Sequence, residues 1–392
     1  RINKDRFYSP DYLPVNLPVL GEWRISQGYY GEPTHQGEWT HGLDLVMTDR
    51  EGIQFRGKGT VLSDYLCYEK PVVAVADGTV ADLTDGIPDN LPGDNNIRRN
   101  WGNSVVLKHQ EHVYSQVSHL KPGSLKVKKG DPVKQGDILG LCGNSGRSPY
   151  PHLHFQMQST PHIGSKTIYY PLSAYLTGHA GDYTLKTHAV PKEGESLQAV
   201  RNHPLLENAL HFLPGKAVTF EVTGTPVKWL RGKHKWEVKT DEYNNSYFEC
   251  LRTGAVAYFY NNGNMHYFIN FLGSRHSLLY YFYLGFYGVL SGYYQGLHIR
   301  DVYPPDKLFR GVRLYLQDVT APFQVFLTAD YELTYLHLEE DFYSSKALLQ
   351  TVVRKKGKVE AKIDITLANH SIADFHYHSD QLEFKAECTN SY

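Results

Sequence analysis

A chain of 392 residues with a formal net charge of -1 has room for about two or three domains and offers no general electrostatic handle to nucleic acid or to an anionic membrane. No nucleic-acid partner is expected. Aromatic residues make up 13%, with 30 tyrosines, 34 glycines and 20 prolines, which favours strands and turns over long helices and predicts a mostly β fold.

Residues 1–30 are rich in proline and aromatics and read as an extended N-terminal segment. Near a cleft, such an arm is a candidate latency device, whose removal should raise activity. No charged-then-apolar leader follows Arg1, which fits a removed signal peptide or a sequence that omits one. From residue 31 to 187, short apolar runs alternate with turn signals: "PVVAVADGTVADL", "NSVVLKH", "YSQVSHL", "DILGLCG", "HLHFQMQ". This spacing predicts an antiparallel sheet built from hairpins. The polar stretch 84–103 is long for a loop in a compact domain, which makes it a candidate cleft wall. Residues 188–198, "HAVPKEGESLQ", read as a linker.

Residues 199–392 again show short strand-like runs, among them "AVTFEV", "AVAYFY", "HYFINF", "RLYLQDV" and "AKIDITLA", and suit a second β-rich, sandwich-like domain. Their tyrosines are expected to fill its core rather than to stack on sugars. Ser277 to Leu297 is uncharged and long enough to raise the question of a membrane span. Its tyrosines and glycines suit aromatic strands joined by a tight turn, so no span is expected. Cys67, Cys142, Cys250 and Cys388 form no C-x-x-C, which does not support a cysteine zinc knuckle or a redox dithiol. One disulfide in each half and four buried thiols both stay open.

The chemistry concentrates in histidines. "PYPHLHF" (149–155) places His152 and His154 two apart, so a strand presents both on one face. Upstream, "THQGEWTHGLDLVMTD" holds His35, His41 and Asp44, and "YSQVSHL" ends near His119. Histidine, carboxylate and histidine from separate strands, with a position left for water, is the ligand set of a catalytic zinc. A second H-x-H, "DFHYHSD" (374–380), lies near Asp374 and Asp380 without comparable surroundings, and no metal role is expected there. His109 and His112 read as solvated, and Arg147 as either a substrate contact or a surface charge.

Taken in order, the "H-x-G" at His35, Asp44 in "LDL", "PVVAVADGTV", "WGNSVVLKH", "YSQVSHL", "VKKGDPVKQGDILGLCGNSGRS" and "PHLHFQ" resemble the lysostaphin-type (LytM-like) zinc endopeptidases, which cut peptide cross-links in bacterial cell walls. Each piece is weak alone, and their shared order over residues 30–160 carries the resemblance. It implies a lysostaphin-like peptidase domain at 31–187, one catalytic Zn2+, and a peptidoglycan peptide as substrate. It also implies a secreted, periplasmic or envelope-associated location. Carried over by position, the resemblance makes His35, Asp44 and His154 the metal ligands. His119 and His152 become the unligated catalytic pair that orients water and stabilises the tetrahedral intermediate.

One departure matters: the family's aspartate usually follows its histidine by four residues, whereas Asp44 follows His35 by nine and His41 by three. His35 keeps the "H-x-G" and is preferred, with His41 as the alternative. Two rival classes remain. A non-catalytic LytM-like protein would bind the wall or activate other wall hydrolases, but here every histidine and the aspartate are retained. A biotinyl- or lipoyl-type carrier would match "VKKGDPVKQGDILG", but lacks its Met-Lys-Met turn.

Overall fold

Along the strands of the N-terminal half, core-facing apolar side chains alternate with residues on the opposite face. A computed structural model describes residues 12–178, 182–320, 326–341 and 343–391, so residues 1–11 of the expected N-terminal segment lie outside it. Two units emerge, one around residues 12–178 plus Lys186–Ala199, the other from Val200 onward together with residues 182–185.

The first unit contains β1 (Glu22–Gln27), β2 (Gly42–Val46), β3 (Pro71–Val73), β4 (Gly78–Thr84), β5 (Asn103–Gln110), β6 (Val113–Leu120), β7 (Pro132–Val133), β8 (Ile138–Leu141), β9 (Leu153–Gln158) and β10 (Leu172–Thr177). Two further strands follow, β11 (Thr184–Ala189) and β12 (Ser196–Ala199). Antiparallel pairing runs β7-β4-β5-β6-β9-β2-β1-β12-β10, and β3 pairs with β8. Trp23, Ile25, Leu43, Leu45, Val117, Leu153 and Phe155 meet in the core beneath this sheet.

Two stretches differ from the expectations drawn from sequence. The segment read as extended, 1–30, holds β1, and before it Val15, Leu17 and Val19 are buried in the same core. Ser173 N–H donates to the Val15 carbonyl at 2.8 Å, and Val73 N–H to that of Pro18 at 2.8 Å. Residues 12–20 are therefore structural, because their alternating apolar side chains fill the sheet's underside; none of them lines the cleft described below. The stretch read as a linker, 188–198, contains most of β12, whose buried Leu197 ties β1 to β10.

The second unit contains α1 (Pro204–Ala209), β13 (Ala217–Thr223), β14 (Gly232–Thr240), β15 (Ser246–Cys250), β16 (Val256–Asn261), β17 (Met265–Leu272), α2 (Leu278–Gly285), β18 (Gly288–Leu290) and β19 (His298–Val302). It continues with α3 (Pro305–Leu308), α4 (Val312–Thr320), β20 (Ala329–Glu340), β21 (Ser345–Lys355), β22 (Lys358–Ala368), β23 (Ser371–His378) and β24 (Glu383–Ser391). Antiparallel neighbours follow the order β18 back to β13, then β24 back to β19.

The apolar run Ser277 to Leu297, expected as strands, forms α2 over its first part and only the short strand β18 after it. All eight residues of α2 are buried, and a helix that is apolar all round belongs inside a core. Phe282 on α2 lies 5.9 Å from Phe220, 5.0 Å from Trp236, 5.9 Å from Phe248 and 5.8 Å from Phe268, ring centre to ring centre. Among the described residues no helix is long and apolar enough to cross a membrane. "RLYLQDV", also expected as a strand, lies in α4, because so short a run does not separate a period of 2 from one of 3.6. The tyrosines Tyr283, Tyr287, Tyr303, Tyr331 and Tyr335 are core residues. Cys67, Cys142 and Cys250 are buried free thiols.

Candidate active site

β2 and β9 build the centre of the site by alternation. Leu43 and Leu45 of β2 face the core, so Asp44 between them faces the cleft; on β9, Leu153 and Phe155 leave His154 the same way. The antiparallel register sets Asp44 directly across from His154, with Asp44 Oδ1 2.8 Å from His154 Nδ1. His35 comes from the turn after β1. Its Nδ1–H donates to the Gly28 carbonyl at 2.8 Å, which aims Nε2 at Asp44 Oδ1, 3.3 Å away.

The hydrogen bonds fix which atoms carry protons. Gln156 Nε2 donates to Gln158 Oε1 at 2.7 Å and to the Ser165 carbonyl at 3.1 Å, so its Oε1 accepts from His154 Nε2–H at 3.0 Å. Both imidazoles thus turn a lone pair towards the Asp44 carboxylate. His35 Nε2 is fully buried and has no hydrogen-bond partner. Three acceptor atoms facing one another without a proton between them is an arrangement that a cation resolves. All three lie within 4.8 Å of one another. Burial acts to raise the Asp44 carboxyl, whereas protonated imidazoles at His152, His154 and His35 would hold it well below the usual carboxylate range.

Two more imidazoles complete the cleft. His119 ends β6 in a left-handed backbone conformation, φ 65°, a strain of about 1–3 kcal/mol for a residue with a side chain. Its Nδ1–H donates to the Ser145 carbonyl at 2.8 Å, and its ring lies 4.7 Å from that of His152. Burial pushes its pKa well below the ordinary imidazole value, and with Nδ1–H on the Ser145 carbonyl its Nε2 is left unprotonated. His152 Nδ1 sits 2.9 Å from the Tyr150 carbonyl and 3.1 Å from Ser148 Oγ, and its Nε2 lies 3.8 Å from Asp44 Oδ2. A cleft of about 360 Å³ opens over these five residues, walled by Trp39, Asn95, Asn100, Trp101, Arg147 and Tyr150. Loop 84–103 therefore does wall the cleft.

His41 is elsewhere, 3.3 Å from the Tyr30 hydroxyl and edge-on to the rings of Tyr29 and Tyr169. Arg147 is exposed at the cleft rim. His109, expected as solvated, is half-buried and pinned between the Asp77 carbonyl and Ser115 Oγ, each 2.8 Å away. Several supporting residues gave no sign in the sequence. A Cβ on Gly42 would lie 2.8 Å from both His154 Cε1 and His35 Nε2, so only glycine leaves room for the two rings. Asn90 Nδ2 reaches the carbonyls of Asn144, Gly146 and Ser148 at 2.7–2.9 Å and holds the turn that presents Ser145 to His119.

Residues 58–168 match the profile of Peptidase family M23, and the chain carries a LytM-like M23 domain. That stretch includes His119, His152 and His154; Asp44 lies before it and joins through the β2–β9 register, and His35 joins through the turn held by the Gly28 carbonyl. The peptidoglycan DD-endopeptidase ShyC of Vibrio cholerae is 35% identical over 80 residues, 20% of this chain and 18% of that protein. The cell division protein DipM of Caulobacter vibrioides is 33% identical over 96 residues, 24% of this chain and 14% of that protein. The chain thus spans less than a fifth of the length of either relative. The crystal structure of the catalytic domain of the M23 protein EnpA from Enterococcus faecalis, an A109H mutant, is 20% identical, covering 41% of this chain and 90% of that one, with a TM-score of 0.25.

Proposed function

We propose that the protein is a zinc-dependent endopeptidase that hydrolyses peptide bonds of bacterial peptidoglycan, in stem peptides or cross-bridges, outside the cytoplasm. The observation that carries this reading is the buried convergence of His35 Nε2, Asp44 Oδ1 and His154 Nδ1 at the floor of a cleft. These three side chains would hold one Zn2+, and the donor set of two imidazoles and one carboxylate suits that ion. When bound, the ion supplies Lewis acidity at the scissile carbonyl.

The chain's own residues do the rest. His119, neutral and anchored through Nδ1 to Ser145, accepts the proton of the attacking water at Nε2. His152, with Nδ1–H on the Tyr150 carbonyl, steadies the charge that develops on the carbonyl oxygen when a second proton sits on its Nε2, which donates to that oxygen. Trp39, Trp101 and Tyr150 offer flat walls against which an extended peptide lies. The extracytoplasmic placement rests on the wall-directed names of the relatives.

The test is release of soluble muropeptides from purified sacculi by the full chain, with chelator added and zinc then restored. Cleavage lost with chelator and regained with zinc is expected, and mass analysis then identifies the bond. Folded, zinc-loaded protein that releases nothing would overturn the reading in favour of a non-catalytic wall-binding role.

A further inference from the structure

The second H-x-H motif sits on β23, where Phe375 and Tyr377 face the core. Alternation therefore sends His376 and His378 to the other face, with their ring centres 3.7 Å apart. The neighbouring strands each add a carboxylate. Register places Glu383 of β24 opposite His378 and Asp364 of β22 opposite His376.

The distances divide these groups into two layers. Glu383 Oε1 lies 3.4 Å from His376 Nε2 and 3.4 Å from His378 Nδ1, and the three atoms fall within 4.8 Å of one another. Three ligands around an ion at about 2.0–2.1 Å in tetrahedral geometry are about 3.3 Å apart, close to the separation of Glu383 from each imidazole. The other nitrogen of His378, Nε2, faces Asp364 Oδ2 at 3.3 Å. Asp364 is in turn fixed by Gln350 Nε2, which donates to its Oδ1 at 2.7 Å. A carboxylate on the far nitrogen sets the tautomer, so Nδ1 of His378 presents its lone pair to Glu383. Lys385, opposite His376, is drawn aside by Glu387 at 2.9 Å and Asp374 at 3.6 Å, and the exposed Lys362 stands opposite His378 on the same face.

We propose that His376, His378 and Glu383 form a second metal site, separate from the cleft, that takes a divalent transition ion such as Zn2+ and leaves its remaining positions to solvent. Asp364 is its positioning residue. Two imidazoles and one carboxylate select zinc and its borderline neighbours over magnesium or calcium, which take oxygen ligands.

Full-length protein stripped of metal and titrated with Zn2+ alone should bind two ions per chain. His378→Gln and Glu383→Gln should each bind one, and muropeptide release should be unchanged. Asp364→Asn keeps all three ligands and should weaken the second ion by about 10-fold or more. Circular dichroism matching that of the unsubstituted chain shows that any loss is not unfolding. Wild-type stoichiometry and affinity retained in His378→Gln would overturn the proposal. Loss of one ion in His378→Gln, with none lost in Asp44→Asn, would uphold this site while rejecting the proposed ligands in the cleft.

Discussion

The two H-x-H motifs share a spacing and differ in almost everything around it. His154 lies between β2 and β6, only 5% exposed, and faces a buried aspartate across the register. His378 lies between β22 and β24 on a wetted face, with its side chain 36% exposed and its Glu383 partner 66% exposed. Burial sets what an unpaired lone pair costs, about 1–3 kcal/mol for a group such as His35 Nε2, whereas water satisfies the same atom at the surface. A bound cation would therefore relieve a cost at the buried set that the exposed set does not carry. A motif's spacing thus gives a shared face, and the neighbouring strands decide its chemistry.

The two motifs should differ most in what substitution does to the cleft. Asp44→Ala or His154→Ala removes a proposed ligand and should abolish muropeptide release, a fall of more than about 100-fold, with loss of one bound zinc. Activity surviving either change would make the two motifs equivalent, with neither serving catalysis. A smaller effect is expected at His119, which the comparison treats as part of the reaction and not of the ligand set. His119→Ala should lower kcat by about 10²–10⁴-fold while zinc stoichiometry stays unchanged, as metal analysis beside kinetics would show. Loss of zinc in that variant would mean that the division of roles is wrong.

Much of this was legible in the sequence where strand alternation alone decides it. His154 follows from alternation along β9, and His152, one residue before that strand, lines the cleft beside it. Other placements depend on backbone turns that no period encodes. His35 reaches Asp44 because residues 28–35 fold back through the Gly28 and Gly31 carbonyls, so the nine-residue spacing carries no information by itself. His119 enters the cleft through a left-handed backbone, which is nearly invisible in a histidine codon's neighbours and is imposed by the Ser145 and Trp101 carbonyls. The helix α2 was missed for a different reason, since a fully buried apolar run has no polar face to reveal its period.

The first motif is also braced by a hydroxyl. His152 is steadied by Ser148, whose hydroxyl lies 3.1 Å from Nδ1, 2.7 Å from Asn144 Oδ1 and 2.9 Å from the Tyr150 carbonyl. Ser148→Ala leaves the Tyr150 carbonyl as a second partner for the same nitrogen, so the ring keeps its tautomer and loses only part of its hold. The expected result is a fall in kcat of about 10-fold, with KM and bound zinc unchanged. A threonine at the same position restores the hydroxyl and should recover most of the rate. If Ser148→Ala instead lost zinc, the brace would be acting on the ligands, and His152 would belong with His154 in holding the ion.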